Sequence, residues 1–310
     1  MNRHTMTPYS RKEFLHITGA ALAASAFSPL TAFGKKKHLL SFSTLGCPDW
    51  TFQQITDFAA QHGYRGIEVR GLLRQMDLPQ CPEFNTPENR KATMAKMKEK
   101  GLRFVNLGSS ANLHVEGEER SKSLADARRF IDLAQQLNCP YVRVFPNNFP
   151  KEREKSATLQ LIINGLKELG DYAKNKNVTV LMETHGDAVW VADLLSIMQA
   201  VSHPAVGLIW DVSNMWTVTK EDPVEAYRKL KPYIRHTHIK DAKLVDGKLQ
   251  YTLLGEGDVP IFKAVSELAK SGYKGYYSFE WEKLWHPEIA EPEVAIAHYP
   301  KAMQSHLRSI

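Results

Sequence analysis

The sequence predicts an α/β protein, and more specifically a single (β/α)8 barrel that follows an N-terminal segment. From residue 39 onward, short apolar, β-branched or aromatic runs alternate with helical patterns. No Gly-, Ser- or Pro-rich linker divides the chain, which favours one domain. Eight such runs fit a closed barrel better than an open sheet. The predicted strands are residues 39–44, 66–70, 103–107, 141–145, 178–183, 206–211, 234–240 and 276–281.

The stretches between these runs have the periodicity of helices that cover a sheet. In the third of them, apolar residues recur at steps of three and four, so that they share one helix face. Gly63, Gly101 and Gly272 follow predicted helices, where glycine supplies the left-handed cap. No G-x-G-x-x-G motif follows the first strand, so dinucleotide binding is not indicated. The predicted helices are residues 52–62, 87–100, 121–137, 158–174, 189–201, 261–270 and 291–310.

Residues 1–37 resemble an export signal and basic spacer rather than part of the barrel. Arg11 and Lys12 stand where a twin-arginine signal has two arginines, and the Ala-rich apolar run 17–27 that follows is too short for a stable membrane span. Small residues around Gly34 predict cleavage there. We therefore expect a periplasmic protein exported by the twin-arginine route, with an amphipathic helix or a retained anchor as the alternatives.

Charge and cysteine content limit the classes of function. The formal net charge is +6, but residues 1–37 contain six basic residues and one acidic one, so residues 38–310 carry only +1. A nucleic-acid footprint is therefore not expected. Cys47, Cys81 and Cys139 show no C-x-x-C spacing and predict neither a zinc ribbon nor a disulfide framework. Buried thiols are the default, and which pair would bridge in an oxidising compartment is open.

Four metal-ligating side chains end four successive predicted strands: Glu183, Asp211, His238 and Glu280. A carboxylate after one strand is often only a helix cap, but capping does not explain four at the same point of consecutive units. In a (β/α)8 barrel, groups at the C-terminal strand ends converge on one mouth. Three carboxylates and one imidazole are a hard ligand set, which predicts one divalent metal ion, Mn²⁺ first, with Mg²⁺, Co²⁺ or Zn²⁺ also compatible.

Three further motifs extend this pattern. They are His-Ile-Lys-Asp at 238–241, Gly-Glu-Gly-Asp at 255–258 and Phe-Glu-Trp-Glu at 279–282. Together with Glu183 and Asp211, they resemble the xylose-isomerase-like TIM-barrel family, which includes sugar and sugar-phosphate isomerases and epimerases, such as the tagatose epimerases, and apurinic endonucleases. The resemblance extends from the first predicted strand to the C-terminus.

The resemblance implies roles for the four strand-end residues. Glu183, Asp211, His238 and Glu280 match the family's metal ligands. Glu183 and Glu280 match the carboxylates that face each other across a ketose, where one removes a proton beside the carbonyl and the other returns one on the opposite face, through an enediolate. We therefore expect an exported, metal-dependent sugar isomerase or epimerase that acts on a neutral sugar or keto-sugar. Homo-oligomerisation is left open.

The departures from the family pattern keep other functions in view. Asn214 stands where the endonucleases and the tagatose-type epimerases have histidine, and residues 250–254 contain none, so a three-zinc nuclease site is not expected. No arginine soon after Asp241 matches the epimerases' substrate-binding one. The alternatives are a lyase or hydrolase of 3-keto-glycosides that uses the same enediolate, and a non-catalytic sugar-binding barrel.

Other polar residues at the strand ends are candidates for contact with a small carbohydrate. His185 and Lys240 lie two residues after predicted ligands, and period-two alternation points them the same way if the strand continues. The alternative for each is a supporting ion pair or a solvated loop. Aromatic side chains such as Trp281 and Trp285 are more often core, but at a polar mouth they stack on sugar faces. The candidate substrate-binding residues are Glu68, Arg143, His185, Asn214, Lys240 and Glu256.

Overall fold

The computed structural model describes residues 38–310; the predicted export signal at residues 1–37 lies outside the described residues. The described part contains ten β-strands: β1 (Leu39–Ser43), β2 (Gly66–Val69), β3 (Arg103–Asn112), β4 (Tyr141–Phe145), β5 (Thr179–Glu183), β6 (Val206–Asp211), β7 (Ile234–Ile239), β8 (Asp241–Val245), β9 (Lys248–Thr252) and β10 (Tyr276–Phe279). Eight of them are parallel and close into a barrel in the order β1-β10-β7-β6-β5-β4-β3-β2. This confirms the predicted (β/α)8 fold.

Helices cover the outside of this barrel. The first begins at a capping box, in which Thr51 and Gln54 each accept a hydrogen bond from the other's backbone N–H. None of the helices within residues 38–310 combines the length and the apolar character that crossing a membrane requires. The described helices are α1 (Phe52–Gln61), α2 (Pro87–Glu99), α3 (Gly117–Gln136), α4 (Lys155–Ala173), α5 (Val191–Val201), α6 (Val212–Thr219), α7 (Pro223–Leu230), α8 (Ile261–Lys270) and α9 (Pro292–Arg308).

The barrel interior is polar below the mouth. Glu68 of β2, His236 and His238 of β7, and Ser278 of β10 contact one another although β2 is not adjacent to β7 or β10. Side chains from separated strands can meet only inside the barrel. All four are fully buried. The apolar core lies instead between the strands and the helices, and the three cysteines are buried free thiols, as expected.

A β-hairpin, β8–β9, leaves the barrel after β7 and was not predicted. Its strands pair antiparallel up to Val245 and Lys248, across a two-residue loop of Asp246 and Gly247 with φ of 49° and 74°. Positive φ at both loop positions is the type I′ turn, for which Asp-Gly is a preferred sequence. The Asp246-Gly247 pair, with Val245 before it and Lys248 and Leu249 after it, therefore carried the signal for this hairpin.

The Gly-Glu-Gly-Asp segment after the hairpin is a turn that is fastened to Asp241. The Asp241 Oδ2 atom accepts hydrogen bonds from the backbone N–H groups of Gly255 (2.9 Å) and Gly257 (3.1 Å). A Cβ atom on Gly257 would lie 2.0 Å from Asp241 Oδ1, so only glycine fits there. The motif pair noted in the sequence is thus a backbone clamp, and Glu256 within it is exposed.

Candidate active site and metal centre

The four predicted metal ligands come together at the C-terminal ends of β5, β6, β7 and β10. One ligand atom from each of Glu183, Asp211, His238 and Glu280 lies within 4.8 Å of all the others, and all four side chains are buried. The Nδ1 atom of His238 is the common point. It lies 2.9 Å from Glu183 Oε1, 3.2 Å from Glu280 Oε1 and 4.0 Å from Asp211 Oδ2.

Asp211 shows that this set fits a cation. Its Oδ1 atom caps α6 by accepting the backbone N–H of Asn214 at 2.8 Å, whereas its buried Oδ2 atom has no hydrogen-bond partner. The Lys240 ammonium approaches Oδ2 to 2.8 Å, but without the angle of a hydrogen bond. Burial raises the pKa of Asp211 to about 7, against the opposing charge of Lys240. An oxygen-rich buried set with one unused carboxylate oxygen suits a hard divalent ion.

Glu68 fixes the ring of His238 from below. The Nε2 atom of His238 lies 3.1 Å from both carboxylate oxygens of Glu68, and Glu68 Oε2 also lies 2.9 Å from His236 Nε2. Burial would raise the pKa of Glu68, but His238 and His236 lower it well below its ordinary value. An ionised Glu68 that accepts the Nε2–H leaves Nδ1 free for a metal.

This placement changes the interpretation of Glu68. We expected it to face the mouth and contact substrate, but it is fully buried beneath the ligand cluster. Glu68 is the last residue but one of β2, and its carboxylate is turned into the barrel, where it contacts His236 and His238. It orients His238 instead. His236 of β7 shares that lower layer.

Arg143 connects the two predicted catalytic carboxylates. Its Nη1 atom lies 3.1 Å from Glu183 Oε2 and 3.4 Å from Glu280 Oε1, and the side chain is 2% exposed. Burial opposes ionisation of both carboxylates, but His238 and Arg143 lower the pKa of Glu183, and His238 and Lys240 lower the pKa of Glu280 well below its ordinary value. Both carboxylates are therefore held as anions.

Lys240 is a buried ammonium at the edge of the cluster. Its Nζ atom donates to Glu280 Oε2 at 2.7 Å and to Glu282 Oε1, which also accepts the hydroxyl of Tyr251 at 2.9 Å. Burial would lower the pKa of Lys240, but Asp211, Glu280 and Glu282 raise it well above its ordinary value. Glu282 was not singled out in the sequence, although the alternation that selected Lys240 also points from Glu280 to Glu282.

A cavity of about 240 Å³ opens above these residues. Predicted His185 is on its wall, and the ring of His185 packs against Phe145 at 4.8 Å between centroids. Trp285, 55% exposed, stands at the rim, whereas Trp281 is buried in the core. The cavity is lined by Leu45, Arg70, Arg143, Phe145, Asn147, Glu183, His185, Lys240, Glu280, Glu282 and Trp285.

Besides the buried Glu68, two of the predicted substrate-binding residues lie off this wall. Asn214 is half-buried in the first turn of α6, where its backbone N–H meets Asp211. Glu256 is exposed in the turn clamped by Asp241. Neither is among the residues that line the cavity, and their contact with substrate stays a prediction. Arg70, Glu282 and the hairpin residue Tyr251 are the additions that the structure makes.

Comparisons with known proteins place this site in a family. The sequence profile described as "Xylose isomerase-like TIM barrel" matches residues 56–305. Inosose dehydratase of Clostridium botulinum (strain Alaska E43 / Type E3) is 30% identical over 278 residues, covering 78% of this chain and 85% of the relative. The 3-dehydroshikimate dehydratase of Bacillus anthracis is 23% identical, covering 63% and 68%. Fructoselysine 3-epimerase of Shigella flexneri is 25% identical, covering 72% and 82%.

Solved structures show the same fold at lower identity. A D-tagatose 3-epimerase-like protein aligns with a TM-score of 0.69 at 19% identity, over 87% of this chain and 98% of that chain. A xylose isomerase-like TIM barrel protein from Mycobacterium smegmatis, in complex with magnesium, gives 0.67 at 19%, over 88% and 97%. The 3-keto-D-glucoside 4-epimerase YcjR from E. coli gives 0.68 at 16%, over 88% and 100%. On the profile match and the 30% identical relative, this chain belongs to the xylose isomerase-like TIM-barrel family, which has epimerase and dehydratase members.

Proposed function

We propose that this chain is a divalent-metal-dependent enzyme that epimerises a keto-sugar by moving the proton on the carbon next to the carbonyl. One observation carries the proposal: Glu183 and Glu280, two buried anionic carboxylates on different strands, flank one point at His238 Nδ1 and line one cavity. Epimerisation requires a base on one side of the carbon and an acid on the other. Relatives named as epimerases support the same class.

The residues that would hold the metal are Glu183, Asp211, His238 and Glu280, with Glu68 orienting His238. When bound, the divalent ion polarises the substrate carbonyl and lowers the cost of negative charge on its oxygen. Asp211 Oδ2, which has no hydrogen-bond partner, and His238 Nδ1, which would exchange its 2.9 Å contact with Glu183 Oε1 for the ion, are two of the donor atoms that would face it.

The two carboxylates are the proton carriers. Each remains ionised in the buried site, so either one can accept a proton from the substrate carbon. Arg143 bridges the two through one Nη1 atom and so fixes their positions on the cavity wall. Lys240, 2.7 Å from Glu280 Oε2, stabilises the anionic form of Glu280 before and after proton transfer. One carboxylate removes the proton, and the other, which must itself first take up a proton, delivers it to the opposite face.

Elimination is the second candidate function, and Lys240 is the observation that favours it. An ammonium that donates to Glu280 beside the cavity could also protonate a leaving hydroxide or alcohol. The same proton abstraction followed by loss of water describes a dehydratase, and followed by loss of an aglycone it describes cleavage of a 3-keto-glycoside. Two relatives are named as dehydratases. Product identity separates the two functions.

The test uses Mn²⁺-loaded protein with ketoses and keto-glycosides in D₂O. Epimerisation predicts deuterium at the carbon next to the carbonyl and an epimeric product. Elimination predicts a released leaving group and ultraviolet absorbance from an unsaturated ketone. Glu280→Gln should abolish turnover in either case, because a proton carrier is lost. Exchange without epimerisation in Glu183→Gln or Glu280→Gln would support separate roles, since one carboxylate can remove and return a proton on one side.

A sugar-binding module without catalysis is the outcome that would contradict the proposal. It would bind ketoses with the metal site full and show neither exchange nor elimination. The exposed Glu118→Gln variant on α3, whose carboxylate pairs with Lys122 on the surface, is the matched control for the loss of one acidic charge.

We also propose that the protein acts in the periplasm. Arg11 and Lys12 before the apolar run 17–27 support export by the twin-arginine route. The variant Arg11→Gln/Lys12→Gln should stay inside the cell at its full length, whereas the unaltered chain should appear in the periplasmic fraction, shortened by about 34 residues. Full-length protein in the cytoplasm of the native host would contradict this.

A further inference from the structure

A second buried arginine, Arg70, lines the cavity beside Arg143. It follows β2 two residues after Glu68, so the alternation of side chains along a strand places it on the same inward face and one layer nearer the mouth. Its side chain is 7% exposed. Neither the metal site nor the proposed proton transfer uses this guanidinium.

Arg70 has only neutral partners. Its Nη1 atom donates to the carbonyl of Gly108 at 3.3 Å, and its Nη2 atom donates to the hydroxyl of Ser110 at 3.1 Å. A guanidinium has five N–H donors, so most of them are unused. No carboxylate within residues 38–310 forms an ion pair with Arg70. Buried charges in proteins are normally paired, and an unpaired one is costly.

The neighbouring side chain makes this position less favourable still. Arg70 and Arg143 converge over Gly108, where a Cβ atom would lie 2.7 Å from Arg70 Cδ and 3.2 Å from Arg143 Nη2. Burial and then the charge of Arg143 lower the pKa of Arg70 to about 9, against the opposing charges of Glu280, Glu183 and Glu68, so it is still a cation at neutral pH. The Nε atom of Arg143 also has no hydrogen-bond partner. Two crowded cations with unused donors face the cavity from one side.

We propose that Arg70 recognises a carboxylate of the substrate, so that the keto-sugar is an acidic one. This rests on the function proposed above, since the ligand is taken to be the substrate of the same site. A guanidinium fork binds both oxygens of a planar carboxylate. The guanidinium fork matches both carboxylates and phosphates. We favour the carboxylate because it is the smaller group and the cavity, at about 240 Å³, is small for a ligand pocket.

The test compares sugars that differ only in this group. D-Fructuronate carries a carboxylate where D-fructose carries a hydroxymethyl group, and D-tagaturonate is related to D-tagatose in the same way. Titration calorimetry with Mn²⁺-loaded wild-type protein should give a Kd at least about tenfold lower for each acid than for its neutral partner, as expected for a charge-assisted hydrogen-bond pair.

Variants assign the preference to Arg70. Arg70→Gln should reduce the ratio of neutral to acid Kd to within about threefold, and Arg70→Lys should give an intermediate ratio, because it keeps the charge but loses the fork. Arg235→Gln is the control. Arg235 is exposed at the start of β7, at the opposite end of the barrel, and donates to the carbonyls of Pro232 and Ile234, so its loss should leave the ratio unchanged.

Several outcomes overturn the inference. Equal binding of acid and neutral sugars by the wild type does so, as does failure of both acids to bind. A folded Arg70→Gln variant that keeps the ratio also overturns it. Tighter binding of D-fructose 6-phosphate than of D-fructuronate would contradict the carboxylate. If Arg70→Gln does not fold, the inference is tested by the Kd ratios of the acidic and neutral sugars measured with the wild-type protein and with Arg70→Lys.

Deuterium exchange separates this inference from the proposed function. If deuterium exchanges into neutral ketoses and the acidic sugars bind no more tightly than the neutral ones, the proposed function is supported and the proposed role of Arg70 is contradicted. In the opposite case, the acids bind through Arg70 but neither acidic nor neutral sugars exchange deuterium. That result would support the carboxylate-binding role of Arg70 and contradict the proposed catalytic function.

Discussion

The two halves of the barrel mouth carry opposite charges. Strands β5, β6, β7 and β10 end in the acidic and imidazole side chains of the metal site, whereas β2 and β4 contribute Arg70 and Arg143 to the same cavity. The acidic half is suited to hold a cation and the basic half to face an oxygen-rich substrate. They meet at the contacts of Arg143 with Glu183 and Glu280. On the proposals above, metal binding falls to one half and substrate recognition to the other.

The most damaging change to the acidic half is loss of its common point. His238→Ala should leave the protein without stoichiometric Mn²⁺ and without turnover, because His238 Nδ1 is the atom that all three carboxylates face. Metal content by mass spectrometry and activity should fall together. His62→Ala, at the C-terminal end of α1 and outside the barrel, is the control. Unchanged metal content in His238→Ala would place the metal elsewhere.

A smaller effect should follow when the support beneath the ligand is weakened. Glu68→Gln keeps the shape of the side chain but removes the anion that orients His238 through Nε2. Metal affinity should fall about 10- to 100-fold, as for other outer partners of metal-bound histidines. Competition with a metal chelator measures this, with Glu118→Gln as the control. If Glu68 contacted substrate instead, metal affinity would hold and only the KM would rise.

The pH dependence of metal binding should show the charge division without any mutation. Burial raises the pKa of Asp211 to about 7, and the carboxylates around His238 raise its pKa well above the ordinary value against the effect of burial. Both groups must lose a proton to bind metal. Apparent Mn²⁺ affinity should therefore fall about tenfold or more for each unit of pH below about 7.

Titration calorimetry in buffers of different ionisation enthalpy should count the protons released on binding. Arg70, with a pKa of about 9, stays charged across the same range, so the basic half should not change. A Mn²⁺ affinity that is constant between pH 5.5 and 7 would show that Asp211 and His238 are already deprotonated. It would contradict the predicted difference in pH response between the acidic and basic halves.

The acidic half could be predicted from the sequence because it obeys a positional rule. Catalytic groups of a (β/α)8 barrel follow its strands, and Glu183 and Asp211 each end a clear apolar run. The basic half follows no such rule, since an arginine after a strand is usually solvated. Arg70 nevertheless lies two residues after Glu68. Because side chains two residues apart on a strand point to the same side, and the later one lies nearer the C-terminal mouth, the sequence could have assigned Glu68 to the lower layer and Arg70 to the mouth.

The hairpin was missed for a different reason. Strands and helices alternate along the rest of the barrel sequence, and β8–β9 interrupts this pattern between β7 and α8. Its Asp246-Gly247 pair is a preferred sequence of type I′ turns and could have predicted the hairpin locally. The contact of Tyr251 with Glu282 could not be predicted from the sequence. It joins a residue of β9 to one that follows β10, and the relative position of these two segments is defined only in the folded barrel.

The β8–β9 hairpin has a fixed base and a free tip. At the base, Asp241 clamps two backbone N–H groups and leaves no room for a side chain at Gly257, while Tyr251 holds Glu282. At the tip, residues 243–248 are exposed and need only a two-residue turn. Exchange of the tip would alter the exposed surface of the hairpin without disturbing the groups at its base. Related chains could thus differ at this surface through a few residues, and a designer could graft new loops at the same place.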